Sequence, residues 1–284
     1  YSIEMLRIGL IFPLFCSATL ILLNPGYVSA SELEEENIFY EEIYGSVSII
    51  DDVIHEDKTI LIGLKINLKE GWNTYWRHSG NTGLPTVIDI EKIPDMEDFK
   101  IFWPKPEVQE SDGNISLIYK NEIVIPILIQ LTNNNSPYSF ELNADFGVCK
   151  DICIPVKKNI TFSIKRPKIS SRNNALVNAL SKVPESSFDS NSGDLGCLLN
   201  TNAGKFLLEF SAPLFDPFFE SWAVLEYDTD MITLLKTKKH ISDQKLFFEI
   251  EVDRSKKKYL LIDKSKFKLT VISKDKSLLF LGCH

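Results

Sequence analysis

The sequence predicts an all-β protein, an antiparallel β-sandwich followed by a second, smaller β-sandwich. Three observations carry that expectation. From Ile38 to Ile164, "KTILIGLKINL" (58–68), "EIVIPILIQL" (122–131), "YSFELNAD" (138–145) and "NITFSIK" (159–165) are rich in β-branched residues or alternate with period two. Gly-, Asn- and Pro-bearing stretches such as "KEGWN", "HSGNTGLP", "ESDGN" and "TNNNSP" separate these runs, at the spacing of a sandwich rather than of βαβ units. Beyond residue 196 the pattern resumes with "KFLLEFS", "SWAVLEY", "MITLLK", "KLFFEIEV", "KYLLI", "FKLTVIS" and "SLLFL".

The N-terminus is set apart. Arg7 precedes an apolar run, Ile8 to Leu23, then "NPGYVSA" and the acidic "SELEEE", which is the layout of a secretory signal with small residues before the cut. Pro13 interrupts the run, and it is short for a span of ~20 residues, so residues 1–30 are expected to be a signal peptide cleaved after Ala30. Residues 31–168 are then the first sandwich. Residues 169–195 are a linker, in which "NNALVNALSKVP" places Ala175, Leu176, Ala179, Leu180 and Val183 at helical spacing until Pro184 ends the turn. Residues 196–284 are the second sandwich.

Charge narrows the partners. The formal net charge is -8, and no basic tract of the kind nucleic acid or anionic lipid requires is present. With the signal removed, four of the five cysteines remain, Cys149, Cys153, Cys197 and Cys283, an even number suited to disulfides in an exported chain. Four are too few to scaffold so long a chain, so the core carries most of the stability.

Cys149 and Cys153 lie in "DFGVCKDICIPVKK" (145–158). On one straight strand they would stand ~13 Å apart at about 3.3 Å per residue, outside the ~4.4–6.8 Å Cα separation of a disulfide. A bonded pair therefore needs a helical turn or a tight hairpin with Lys150, Asp151 and Ile152 at its tip. The strand-like lead-in "ELNADFGV", a bulge or bend allowed by Gly147, and Pro155 after the pair all favour the hairpin. So short a loop gives a disulfide little entropic leverage. Lys150 favours a thiolate at an exposed turn, whereas Asp151 opposes one. Redox exchange, an inert bond and soft metal ligation all remain open from spacing alone.

The combination "FGVCKDICIP", "GWNTYWRHSGNTGLP" (71–85), "FWPKPE" (102–107) and "YKNEIVIPI" (119–127) resembles the N-terminal periplasmic domain of the DsbD family of thiol:disulfide interchange proteins, in particular the ScsB-like branch with a C-x3-C pair. The resemblance covers roughly residues 38–165. It implies an immunoglobulin-like sandwich in the periplasm, with Cys149 and Cys153 as a catalytic redox pair taking electrons from a membrane-embedded protein and passing them to thioredoxin-like partners. It also associates the chain with cytochrome c biogenesis and copper tolerance. The multi-helix membrane domain and the thioredoxin-like domain of full-length members are not found in this sequence, so the expectation is either that a separate membrane protein reduces it or that it is a standalone relative with other partners. The competing reading is a non-enzymatic module that binds an exported protein or copper, its cysteines a fixed bond or soft ligands.

Around the pair, Trp72, Tyr75 and Trp76 are candidates for a lid, with Arg77 or His78 lowering a thiol pKa, although large aromatics more often pack a core. Tyr119 and Asp145 are weaker candidates for lining the site. The more exposed cysteine, closer to cations such as Lys150, is expected to attack and the other to resolve; the sequence does not rank them, and the stiff Ile154-Pro155 step after Cys153 only favours that cysteine for the less mobile, resolving role. Cys197 and Cys283 flank nearly all of the second sandwich, and a bond between them would close a long loop, where a structural staple is most effective. The dipeptide Cys283-His284 is too little to assign a metal, and no cofactor is assigned.

Overall fold

The computed structural model describes residues 43–56, 58–133, 137–165, 174–186, 196–202, 205–213, 221–227, 233–234, 238–242, 245–252 and 263–283. The expected signal peptide and the "KYLLI" strand lie outside them. In the first half the strands are β1 (Gly45–Glu56), β2 (Thr59–Leu68), β3 (Asn73–Gly80), β4 (Val87–Ile90), β5 (Met96–Ile101), β6 (Glu107–Ser111), β7 (Asn114–Lys120), β8 (Glu122–Leu131), β9 (Tyr138–Cys149) and β10 (Cys153–Ile164). They form two sheets, ordered β1-β2-β8-β5 and β10-β9-β3-β7-β6, with β4 pairing alongside β9. The pairings are antiparallel, as short turns between successive strands require.

β9 shows how the core is assembled. Tyr138, Phe140, Leu142, Ala144, Phe146 and Val148 alternate inward and are buried, while Ser139, Asn143 and Asp145 face out. β2 and β8 instead read as nearly unbroken apolar runs, because their sheet is covered on both faces. The second cover is helix α1 (Asn174–Leu180), whose Leu176 and Ala179 pack on Val124 of β8 and on Ile50. Gly63 of β2 makes room, since a Cβ there would stand 2.8 Å from Leu176 Cδ2 and 2.9 Å from Val124 Cγ1. The helix expected within a linker is thus part of the first sandwich's packing.

The second half contains β11 (Glu185–Ser186), β12 (Gly196–Asn202), β13 (Lys205–Pro213), β14 (Trp222–Tyr227), β15 (Thr233–Leu234), β16 (Lys238–Ser242), β17 (Lys245–Val252), β18 (Phe267–Ile272) and β19 (Ser277–Leu281). Two further sheets result, β11-β19-β18-β14-β15 and β12-β13-β17-β16. In the first of these, Leu269, Val271, Leu278 and Phe280 are buried apolar side chains, with Ala223, Val224 and Leu225 from β14. Residues 41–284 form one compact unit. Among the described residues no helix is long and apolar enough to cross a membrane.

Candidate functional site

The hairpin of β9 and β10 builds the site. Its ladder runs without a shift from Tyr138↔Ile164 to Cys149↔Cys153, leaving Lys150, Asp151 and Ile152 as the connection, closed by Lys150 N–H donating to the Ile152 carbonyl at 3.1 Å. Cys149 and Cys153 are joined as a disulfide with their Cα atoms 4.1 Å apart. Gly147 does not bulge, contrary to the sequence expectation. It permits a close approach instead, because a Cβ at Gly147 would lie 2.8 Å from Leu84 Cβ, and Gly147 N–H donates to the Leu84 carbonyl at 3.3 Å.

That approach brings the segment 81–86, between β3 and β4, over the end of β9. The alternation of β9 breaks there, since Phe146, Gly147, Val148 and Cys149 are all buried. The segment is fixed at both ends. Asn81 exchanges hydrogen bonds with Ile115, and Thr86 N–H donates to the Trp76 carbonyl while its hydroxyl donates to that of Tyr75. Gly83, at φ +87°, lies where a Cβ would overlap the ring of Tyr75, so this position requires glycine for both reasons.

The two cysteines are unequal in exposure. Cys149 is 4% exposed and clusters with Tyr75 and Ile118, whereas Cys153 is exposed on the first residue of β10. By the rule that the more exposed cysteine attacks, this favours Cys153 for that role over the resolving one its stiff neighbours suggested; the register places it on the edge strand while Cys149 has β3 on its other side. Tyr75 Oη stands 3.6 Å from Cys153 Sγ.

The other expected site residues are placed as follows. Asp151 is exposed at the hairpin tip, and the Lys150 ammonium end lies beside Gly71, in the turn before β3. Tyr75 faces Cys149 and its neighbours Thr74 and Trp76 point to the opposite face. Trp76 is fully buried, with the Arg77 guanidinium 3.8 Å above its ring. Arg77 reaches Glu226 of β14. His78 Nδ1 accepts from the Gly80 N–H at 3.1 Å, and burial lowers its pKa, Glu226 opposing and Arg77 adding to the effect. Tyr119 is buried and donates to the Pro104 carbonyl at 2.7 Å, and burial raises its hydroxyl pKa well above the usual value. Asp145 pairs with Lys157 at 3.5 Å across the hairpin. The structure therefore gathers Tyr75, Cys149 and Cys153, and turns Trp76, Arg77 and Tyr119 to other contacts. Cys283 is buried and disulfide-bonded, while the side chain of Cys197 lies outside the described ones. Among the described residues no group of three or more His, Cys, Asp or Glu could hold a metal ion.

The comparisons with known proteins bear on this same region. No curated protein matches the chain. The N-terminal periplasmic domain of ScsB from Proteus mirabilis is similar in fold, with a TM-score of 0.58 at 16% identity over 82% of this chain and 92% of that one. The reduced Neisseria meningitidis DsbD n-terminal domain matches at a TM-score of 0.28 and 12% identity, over 44% of this chain and 88% of that one, a likeness too low to carry an argument. The family model for the N-terminal region of thiol:disulfide interchange protein DsbD matches residues 50–164, which span the strands bearing Tyr75 and the whole cysteine hairpin. Residues 50–164 therefore form an N-terminal domain of the DsbD family, with a C-x3-C disulfide at the end of its hairpin.

Proposed function

We propose that the protein exchanges thiols and disulfides with thioredoxin-like partners in the periplasm, and that Cys153 is the sulfur that meets the partner. The observation that carries this reading is the asymmetry of the pair: Cys153 is exposed, while Cys149 is buried against Tyr75 and Ile118. Exchange needs an in-line approach to one sulfur, and only one of the two offers it. A partner thiolate attacks Cys153 Sγ, the Sγ–Sγ bond breaks, and Cys149 leaves as thiolate and takes a proton. The partner's second thiolate then attacks its own sulfur in the mixed disulfide and releases Cys153. Two electrons and two protons have passed to this chain, and the partner dithiol has become a disulfide. In the reverse direction Cys153 attacks a partner disulfide and Cys149 resolves.

Family membership of residues 50–164 and the signal-like N-terminus support export to the periplasm. A separate membrane protein supplying the electrons fits the same reading. Expressing Cys149→Ser and Cys153→Ser separately in the exporting cell tests it. Cys149→Ser is expected to accumulate a reductant-sensitive adduct on non-reducing gels, and Cys153→Ser none. Adducts with Cys153→Ser alone would reverse the roles. Absence of adducts from both, with a wild-type disulfide that no redox buffer opens, would leave the pair as a fixed bond of a binding module.

A further inference from the structure

We propose that Tyr75 is a catalytic residue of this exchange, its hydroxyl donating a hydrogen bond to the Cys153 thiolate whenever that thiolate forms. The proposal rests on the exchange reading for its purpose, but its chemistry belongs to the reduced protein alone.

Tyr75 is 5% exposed, and a phenol O–H taken out of water needs a partner. Among the described residues the hydrogen-bond partner of Tyr75 Oη is Cys153 Sγ, at 3.6 Å. As half of a disulfide that sulfur is a weak acceptor, whereas as a thiolate it accepts a charge-assisted bond. The contact therefore strengthens when the charge appears, which is the condition for an interaction to speed a step rather than merely hold the site. The thiolate of Cys153 is the final leaving group when the chain is reduced and the attacking group when it reduces a partner, so one donor serves both directions.

The hydroxyl is also held in place. The Tyr75 carbonyl accepts from the Thr86 hydroxyl, β3 pairs Tyr75 with Ile118, and the backbone of Gly83 lies against the hydroxyl end of the ring. Of the cations expected to serve the thiol, Arg77 is paired with Glu226, and the Lys150 ammonium end lies beside Gly71. His78 Nδ1 is an acceptor for Gly80.

The test is Tyr75→Phe, which removes one oxygen and keeps the ring, in the full chain. In a Cys149→Ser background, alkylation of Cys153 is followed against pH by mass spectrometry of its peptide. Loss of the charge-assisted bond is expected to cut the thiolate fraction at neutral pH about tenfold, moving the alkylation midpoint up by about one pH unit. With both cysteines present and the pH set above the variant's alkylation midpoint, where Cys153 is ionised, the same loss shifts the equilibrium with glutathione about tenfold toward the disulfide. An unchanged alkylation profile together with an unchanged glutathione equilibrium would overturn the proposal. Neither measurement uses a protein partner, so both can fail while partner trapping succeeds. Should Tyr75→Phe not fold, the wild-type chain with ring-labelled tyrosine is expected to show a shift of a phenol C–O band on reduction, absent from Cys153→Ser. A spectrum in which reduction shifts no phenol C–O band would equally count against the proposal.

Discussion

Arg77 of β3 grips Glu226 of β14 with two parallel hydrogen bonds, Nε to Oε1 at 2.8 Å and Nη2 to Oε2 at 2.6 Å, across 149 residues of sequence. The side chains are 22% and 14% exposed, so neither charge can recover full hydration if its partner is lost. Glu226→Gln is therefore expected to lower stability by about 2 kcal/mol, below the range for fully buried pairs because water still reaches this one. A double-mutant cycle with Arg77→Gln, read by urea unfolding, would show no coupling if the pair were a surface ornament.

Gly83 offers a second test. A Cβ there strains φ +87° and collides with the Tyr75 ring, so Gly83→Ala is expected to cost about 1–3 kcal/mol. Its more specific effect should be faster reduction of the Cys149–Cys153 bond by dithiothreitol, since a Cβ at Gly83 displaces the Tyr75 ring that packs with Cys149. Slower or equal reduction would show that segment 81–86 does not govern access.

The hairpin at the site was legible because a three-residue gap allows few geometries, and strand signals lay on both sides of it. What the gap does not encode is which sulfur ends up inside. That depends on β3 and segment 81–86 lying against β9, contacts made by residues more than sixty positions away. Gly147 is ambiguous in the sequence for the same reason: a glycine in a strand signals a bulge or a close approach, and only Leu84 decides between them. The aromatic run around Trp76 was identified as a unit, yet period-two alternation separates Tyr75 from Trp76 and sends them to opposite faces. The partner of Arg77 had no local signature at all.

His78 gives the stability a pH dependence. Its folded pKa lies below the ordinary 6.5, chiefly because burial disfavours the cation. As pH falls through 6.5 the unfolded chain binds the proton first, so stability declines with acidification until the folded pKa is reached, and is flat below it for this group. The denaturant midpoint of wild type should thus fall between pH 7.5 and 5.5 by more than that of His78→Gln. Equal falls would remove His78 as the cause.

The remaining cysteines are expected to act structurally. We expect Cys283 to be bonded to Cys197, closing the second pair of sheets from first strand to last. Cys197→Ser should then lower stability by about 2–4 kcal/mol while leaving alkylation-detected exchange at Cys149 and Cys153 intact. Loss of exchange in Cys197→Ser with an unchanged melting temperature would contradict the assignment.

The packing of α1 on Gly63 and Val124 bears on where this protein can be cut. A fragment ended at Ile164, where the family match and the last strand both stop, would leave an apolar slot in β2 and β8 open to water, shaped for Leu176 and Ala179. The smallest piece able to stand alone as a monomer must run through Leu180. Immediately after it, the Lys182 carbonyl accepts from Lys105 N–H and Glu185–Ser186 joins β19, so the chain passes from one pair of sheets to the next with little slack at that end. Shorter fragments are expected to associate through the open slot, so that on sedimentation they self-associate more strongly than a fragment that runs through Leu180.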